Sequence, residues 1–132
     1  MKPPIETIRI AQQGKDQLLK LRRNTGIEHW NVLCRWAFCV SLREPTPPPV
    51  YNEKLDGGVE MTWKVFAGDQ SDVYAAITYI RAQRDNFPDT PEGRASCFRA
   101  HIHRGLNYLA SGTSTRSLSD LTTRWLASKT CN

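Results

Sequence analysis

Four cysteines and two closely spaced histidines are the residues of this sequence that could carry redox or metal chemistry. Cys34 and Cys39 lie in the stretch TGIEHWNVLCRWAFCVSL, residues 25–42. Five positions on a helix separate two residues by about 7.5 Å of rise and roughly 140° of rotation. Disulfide partners need Cα atoms within about 7 Å and converging side chains. The two cysteines are therefore expected to be separate thiols in the core.

The histidines of RAHIHRG give only a weak metal signal. His101 and His103 are two positions apart, so on a helix they point about 200° apart and cannot bind one ion. Cys97 and His101 are four positions apart and share a helical face. Two such residues fall short of the usual zinc ligand set. A partly buried histidine beside a thiol is favoured, and we expect no metal and no cofactor.

Recognised catalytic motifs are absent from the sequence. It has no glycine-rich phosphate loop, no HExxH and no GxSxG. The glycine turn LDGG, residues 55–58, lacks the following helix that a phosphate-binding loop needs. The acidic residues are scattered, without a DxD pattern for a nuclease metal. We therefore predict that the chain is not an enzyme.

The charge balance suits a polyanionic partner. The 132 residues include 18 basic and 13 acidic side chains, for a net charge of +5. Such a balance fits nucleic acid, although a generally basic, solvated surface explains it as well. The length predicts a single domain spanning residues 1–132. We find no apolar run long enough to span a membrane and no signal peptide, so we expect a cytoplasmic protein with reduced thiols.

Hydrophobic periodicity predicts a mainly α fold: a compact helical domain of four to five helices with a short N-terminal extended arm or strand and a short middle strand. The N-terminal arm comprises residues 1–10 and is expected to contain a strand over 5–10. The middle strand is expected over 59–66. A proline- and glycine-rich loop occupies 45–58, and the tail, 127–132, is expected to be flexible. Helices are predicted over residues 12–24, 28–42, 71–84 and 91–109, followed by a short last helix with Leu118, Leu121 and Trp125.

Apolar residues on the second predicted helix need a partner. The second helix is apolar almost all round, interrupted only by Asn31 and Arg35. A domain of this size can scarcely surround such a helix, so we expect an oligomer; the alternative is a central helix wrapped by its own chain. In the third helix, the pattern places Val73, Ile77 and Ile80 inward.

Basic residues on the first helix form the candidate nucleic-acid site. A helical wheel places Lys20 and Arg23 mid-face, with Lys15 and Arg22 beside the apolar stripe, and Arg9 in the preceding arm can extend the ridge. A solvated face with an Asp16–Lys20 ion pair is nearly as compatible with this pattern. The fourth predicted helix adds three further arginines, to which we give less weight because Glu92 on the same helix offsets part of their charge: Arg94, Arg99 and Arg104.

A strand followed by a helix, a glycine turn and a buried helix is also similar to the start of a ribbon-helix-helix DNA-binding domain. In that architecture paired strands read a groove of DNA, and Thr7 and Arg9 would contact bases. The remaining length of about 85 residues is unusual for a simple repressor. This transcriptional regulator is the alternative function.

Three segments resemble the signature of the DndE family of DNA sulfur modification proteins. They are LKLRRNTGIEHWNVLCRWAFCVSLREP, VEMTWKVFAGDQSDVY and FRAHIHRGLNYLASG, which occur in order and with the expected spacing between residues 6 and about 125. The chain departs from the family around TPPPVYNEK and in the tail. The first segment carries most of the specificity.

The resemblance implies a non-catalytic subunit of the DNA phosphorothioation system. Such a system replaces a non-bridging phosphate oxygen of DNA with sulfur. Its other members are a cysteine desulfurase, an iron–sulfur ATP-pyrophosphatase-like protein and an SMC-like ATPase. The family is expected to be helical and tetrameric, and to bind DNA, notably nicked duplex, through basic surface residues. The signature does not fix which lysines or arginines contact DNA.

A sulfur-handling pathway raises the question of a sulfur-carrying cysteine. A persulfide carrier needs an exposed and activated thiolate. The helical wheel argues against exposure of Cys34 and Cys39. Cys97 and Cys131 are less constrained by the wheel, and a carrier role stays open for Cys131 in the tail.

Overall fold

The computed structural model describes residues 1–51 and 58–111. The elements within these ranges are β1 (Thr7–Ile10), α1 (Gln12–Thr25), α2 (Trp30–Leu42), β2 (Val59–Thr62), α3 (Trp63–Ala67), a 3-10 turn (Gly68–Gln70), α4 (Ser71–Arg84) and α5 (Pro91–Ala110). The mainly α architecture with two short strands confirms the predicted fold class. The expected helix around Leu118, the tail, and part of the 45–58 loop lie outside the described residues.

Local sequence signals place several helix ends where they were predicted. Gly26 ends α1 in the left-handed conformation, with φ of 77°, and its N–H donates to the carbonyl of Arg22, as expected for a glycine cap. The Thr90 side chain accepts a hydrogen bond from the N–H of Gly93, and Pro91 occupies the first helical position of α5. Helix α2 begins two residues later than predicted, at Trp30.

The middle strand is shorter than predicted. β2 ends at Thr62, and the remainder of the predicted strand 59–66 forms the short helix α3. Thr62 explains the switch, because its hydroxyl accepts a hydrogen bond from the N–H of Val65 and caps α3. β2 pairs antiparallel with β1, in a register that places Arg9 opposite Glu60.

Helix α5 lies at the centre of the fold and packs against α1, α2, α4 and β1. It approaches the backbone of α2 closely at Gly105, where a Cβ atom would lie 1.8 Å from the carbonyl oxygen of Ala37. An aromatic cluster fills the space between α2, α3, α4 and α5. Its members are Phe38, Phe66, Phe98, Trp63 and Tyr74.

Two apolar surfaces predicted to be buried are open to solvent. The prediction that Val73 and Ile80 point inward is wrong, since they are 51% and 65% exposed; α4 instead turns Ala75, Thr78 and Ala82 toward the core. Helix α2 is not surrounded either. Its outer side borders an open groove of about 420 Å³ lined by Val32, Arg35, Trp36, Cys39 and Tyr74.

No helix among the described residues has the length and apolar character needed to cross a membrane.

Candidate nucleic-acid interface

The last turn of α1 presents two exposed residues of the predicted basic ridge. Arg22 and Arg23 are both exposed, and Lys15, two turns earlier, is half-buried. Within the described ranges, none of these three residues forms an ion pair with a carboxylate. The Arg22 guanidinium lies 4.5 Å from the centre of the Trp30 ring, which holds it by a cation–π contact. Two solvent-facing arginines at one end of α1 are therefore available to an anionic partner.

Lys20 has a structural contact that the sequence did not reveal. Its Nζ donates a hydrogen bond of 2.9 Å to the carbonyl oxygen of Ala110, at the C-terminal end of α5. Asp16, the partner considered for Lys20, instead accepts a hydrogen bond from the side chain of Gln12. A lysine at the end of a helix compensates its carbonyl groups. Lys20 therefore ties α1 to α5, in addition to any role toward DNA.

Arg9 projects from the exposed face of β1, between the buried residues Ile8 and Ile10. It faces Glu60 across the strands, with Nε and Oε2 3.5 Å apart, and both side chains are more than half exposed. Exposed pairs of this kind contribute little stability. The structure thus keeps Arg9 separate from Arg22 and Arg23, which lie at the far end of α1.

The three arginines of α5 have different surroundings. Arg94 pairs with Asp89 at 2.8 Å and lies over the ring of Tyr79. Arg104 donates to the carbonyl oxygens of Ser41 and Thr46. Arg99 is half-buried, and its Nε atom is covered without a hydrogen-bond partner.

A buried polar network joins α2, α4 and α5. Arg81 Nε donates to both carboxylate oxygens of Asp85, at 3.1 and 3.2 Å. Asp85 also lies 3.0 Å from Nε2 of His101, whose Nδ1 lies 2.8 Å from the hydroxyl of Ser41. Because an ionised carboxylate only accepts, His101 donates through Nε2 and accepts from Ser41 through Nδ1. The network is closed with a neutral histidine at its centre.

The network fixes the end of α2 as well. Arg81 donates to the carbonyl oxygens of Leu42 and Glu44, and Arg104 donates to that of Ser41. The carbonyl groups of Ser41 and Leu42 belong to the last turn of α2, which leaves them without intrahelical partners, and Glu44 follows just beyond the helix. Two arginines from α4 and α5 therefore provide the cap that the chain's proline-rich exit from α2 cannot provide.

Asp85, Cys97 and His101 are the one group among the described residues with metal-ligand chemistry. Their donor atoms lie within 4.8 Å of one another, and all three residues are buried. Yet Asp85 is already bound by Arg81, and Nε2–H of His101 donates a hydrogen bond to it. A cation would have to displace both bonds beside a buried guanidinium. The three side chains therefore fit a hydrogen-bonded core better than a metal site, with the Cys97 thiol beside His101.

Burial makes the described thiols poor nucleophiles. It raises the pKa of Cys34 and of Cys97 to about 12, and it also raises the pKa of Cys39, against lowering contributions from Tyr74 and Arg35. A sulfur carrier needs the opposite shift. Cys34 belongs to the core as predicted, whereas Cys39 is only half-buried and borders the groove on α2. Cys131 lies outside the described residues.

The stability of the fold is expected to fall in acid because His101 must stay neutral. Burial is the main cause that lowers the pKa of His101 from 6.5 to about 4. Below pH 6.5 the unfolded chain binds a proton that the folded chain does not, so stability is lost as the pH falls toward 4. Between pH 7 and 4.5 this site should cost roughly 2–3 kcal/mol.

Urea unfolding at the two pH values checks this expectation. His101→Gln should be less stable at pH 7 but should lose less stability on acidification than the wild type. His29→Gln, at an exposed histidine, should retain the full loss. An equal loss in the wild type and in His101→Gln would show that another group causes it.

The hydrogen bonds of β1 do not match a ribbon-helix-helix protein. Such proteins pair the N-terminal strand with that of a second subunit, whereas β1 pairs with β2 of its own chain along Thr7–Ile10. Thr7 is also half-buried. The groove-reading role considered for Thr7 and Arg9 therefore receives no support from the sheet.

A family model decides which group of proteins this fold represents. The model for DndE, described as DNA sulphur modification protein DndE, matches residues 7–117. The chain belongs to the DndE family. A solved structure with the same fold is DndE from Escherichia coli B7A, involved in DNA phosphorothioation modification. It has a TM-score of 0.62 and 22% sequence identity to this chain, covering 80% of this chain and 97% of that one.

No curated protein sequence matches the chain. The family assignment therefore depends on the DndE model, which spans every described helix and both strands. The similarity to the E. coli protein supports the shared fold. The family model confirms the resemblance carried by the sequence segments.

Proposed function

We propose that this DndE chain is a non-enzymatic, cytoplasmic DNA-binding subunit of the DNA phosphorothioation system. The observation that carries the proposal is the exposed pair Arg22 and Arg23, which no described carboxylate neutralises, in a member of a DNA sulphur modification family. Arginine binds phosphate oxygens with its planar fork of N–H groups. Lys15 and Arg9 extend the positive charge along α1 and β1, and Lys20 adds charge at the junction with α5.

The chemistry of sulfur transfer is assigned to partner proteins in this proposal. The described cysteines have raised pKa values, and Ser41, although hydrogen-bonded to His101, is 2% exposed. The cysteine desulfurase, the iron–sulfur ATP-pyrophosphatase-like protein and the SMC-like ATPase of the system would supply sulfur and energy. This chain would hold the DNA, with a preference for nicked duplex, whose backbone is interrupted and more easily bent.

Replacing both exposed arginines tests the DNA-binding surface. Arg22→Gln with Arg23→Gln should weaken binding to a short duplex by about tenfold or more at low salt. It should also reduce the slope of log affinity against log salt by roughly two, because each lost phosphate contact removes about 0.9 from that slope. Fluorescence anisotropy across a salt series measures both quantities.

The matched control removes the same charge from other elements. Lys64→Gln with Arg84→Gln changes two exposed cations on α3 and α4. It should change affinity far less than the α1 pair. Equal effects of the two double variants would mean that net charge alone governs binding. Lys20→Ala with Arg23→Ala is less clean, because it also removes the bond from Lys20 to Ala110.

We further propose that the chain forms a homo-oligomer, with a tetramer expected from its family, through the open apolar faces of α2 and α4. Val73 and Ile80 are exposed on one helical stripe of α4, and Ile77 between them is only partly buried by the chain's own core. Tyr74, on the same helix, lines the groove beside α2. An apolar stripe beside a groove suits a second copy of the chain, because two-fold pairing places the stripe of each copy in the groove of the other.

A charge placed on this stripe should break the assembly. Ile80→Glu would have to bury an unpaired carboxylate in the interface, which costs several kcal/mol. Its mass by light scattering should fall toward that of the monomer while the circular dichroism spectrum is retained. Gln83→Glu, at an exposed position on the same helix, should keep the wild-type mass. A wild-type monomer, or an unchanged mass for Ile80→Glu, would refute this interface.

A further inference from the structure

A pocket of about 220 Å³ lies between α1, α5 and the loop that follows α2. Gln13 and Gln17 line it from α1, Asn107 and Arg104 line it from α5, and Tyr51 lines it from the loop. Pockets for drug-sized ligands measure roughly 300–1,000 Å³. The smaller volume here suits a single planar ring system.

Two stacked rings form one side of this pocket. The centres of the Tyr51 and His103 rings are 3.8 Å apart, and the rings are inclined by 13°. His103 is fixed through both ring nitrogens. Because a backbone N–H only donates, the N–H of Ala11 binds Nε2, and Nδ1–H donates to the carbonyl oxygen of Arg99. A flat ligand that enters the pocket therefore meets a preformed aromatic surface on which it can stack.

The other sides of the pocket carry groups that can hydrogen-bond the edge of a flat ligand. Gln13 and Asn107 are exposed, and Nε2 of Gln17 donates a long bond of 3.4 Å to Oδ1 of Asn107. Each amide has both donors and an acceptor, and such side chains recognise the edges of bases, adenine in particular. Arg104 adds positive charge, and no described carboxylate lines the pocket.

The pocket is close to the basic residues proposed to hold DNA. Gln13, Gln17 and Lys20 lie on one stripe of α1, and Arg23 follows Lys20 three positions later. Gln17 and Arg23 are six positions apart, which corresponds to about 9 Å of rise along the helix. A strand of duplex DNA advances about 3.4 Å per nucleotide. A backbone held at Arg23 can therefore reach the pocket within about three nucleotides.

We propose that this pocket binds a single nucleobase of DNA that has left the base stack, with adenine preferred. The base stacks on Tyr51, and the amides of Gln13 and Asn107 hydrogen-bond its edge. The inference rests on the proposed DNA-binding function and deepens it, since it names the part of the DNA that is recognised. Leaving the stack costs least for a base that has no pairing partner.

Two bulged duplexes that differ in one base test the proposal. One carries an unpaired adenosine, and the other carries an abasic residue at the same position, so their backbone charges are equal. In fluorescence anisotropy the wild type should bind the adenosine bulge about tenfold more tightly, because the abasic duplex offers no ring to stack. Tyr51→Ala should bind the two duplexes alike. Equal binding of both duplexes by the wild type would overturn the inference.

Replacing the amides tests the edge contacts without touching the stacked rings. Gln13→Ala with Asn107→Ala should reduce the preference for the adenosine bulge several-fold, while affinity for an intact duplex and its salt dependence stay as in the wild type. Gln12→Ala with Gln83→Ala removes two exposed amides that do not line the pocket and should keep the full preference. A full preference in the Gln13 and Asn107 variant would rule out the edge contacts.

Thermal unfolding with adenosine separates a base of DNA from a free nucleoside. Adenosine could raise the melting temperature of the wild type, and not that of the Gln13 and Asn107 variant, while the wild type binds both bulged duplexes alike. The pocket would then take a free nucleoside, and its assignment to DNA would be overturned. A lower melting temperature for Tyr51→Ala with its preference intact would show that Tyr51 only supports the fold, and would overturn the stacking.

The same titrations distinguish failure of this inference from failure of the proposed function. A wild type that binds no duplex at low salt contradicts the proposed function. A wild type that binds the adenosine and abasic bulges equally, and loses both in the Arg22 and Arg23 double variant, leaves the proposed function intact and removes this pocket alone.

Discussion

Asp85→Ala is expected to destabilise the protein by about 3–5 kcal/mol, because it leaves a buried positive charge without a partner. The side chains of Arg81 and Asp85 are 7% and 1% exposed. Alanine would remove the acceptor of Arg81 Nε and of the His101 N–H together. Chemical denaturation at pH 7 should show this loss without a change in the steepness of the transition.

An exposed ion pair provides the comparison for Asp85. Asp89 pairs with Arg94 at 2.8 Å, but its side chain is 83% exposed. Asp89→Ala should therefore change stability by less than about 1 kcal/mol. Combining Asp85→Ala with Arg81→Met should cost less than the sum of the two single changes, since no unpaired charge remains. Similar losses for Asp85→Ala and Asp89→Ala would contradict the account of the buried network.

Gly105→Ala should destabilise the protein by roughly 3 kcal/mol or more, or prevent folding. The added Cβ would lie 1.8 Å from the carbonyl oxygen of Ala37 and 2.8 Å from its Cα. Backbone atoms of α2 cannot move as a flexible side chain can, so α2 and α5 would have to separate. Alanine favours the helix over glycine by about 1 kcal/mol, but the steric cost of the collision exceeds this gain.

Thermal unfolding of Gly105→Ala should show a decrease in melting temperature of roughly 10 °C or more. Asn107→Ala, at an exposed position of the same helix, should remain within a few degrees of the wild type. A melting temperature for Gly105→Ala equal to that of the wild type would mean that α2 and α5 are not in backbone contact at this point.

Much of the helical framework follows from local chemistry. Gly26 and the Thr90–Pro91 pair mark a helix end and a helix start through their own backbone preferences. The predicted helix over 71–84 matches α4 in both bounds. These elements could be predicted because each signal acts within a few residues.

The errors occur where distant parts of the chain decide the outcome. The apolar stripe of α4 predicts a buried face, but α5 packs on the face that carries Thr78 and Arg81. Arg81 is buried because Asp85 and the end of α2 satisfy it, and no pattern in residues 71–84 reveals those partners. Alternation over 59–66 predicts one long strand, whereas the Thr62 cap ends it early.

Only part of the candidate site was predictable from the sequence, because some of its contacts join distant parts of the chain. The exposure of Arg23 follows from the helical wheel of α1, which places it mid-face, whereas Lys20, also placed mid-face, is half-buried, and Arg22, placed beside the apolar stripe, is exposed. The bond from Lys20 to Ala110 joins residues 90 positions apart. Only the packing of α5 against α1 brings them together. The prediction of DNA-binding residues thus remains to be tested at Lys15, Lys20, Arg22, Arg23 and Arg9.

The measurement that tests the central claim most directly is a salt titration of binding to one duplex, intact and nicked, with the protein's mass determined by light scattering in the same buffer. We expect an oligomer that binds both duplexes, prefers the nicked one, and loses affinity steeply as salt increases. A protein that binds neither duplex at low salt would contradict it. The chain would then contact DNA only through its partner proteins, and the exposed arginines of α1 would be a solvated surface.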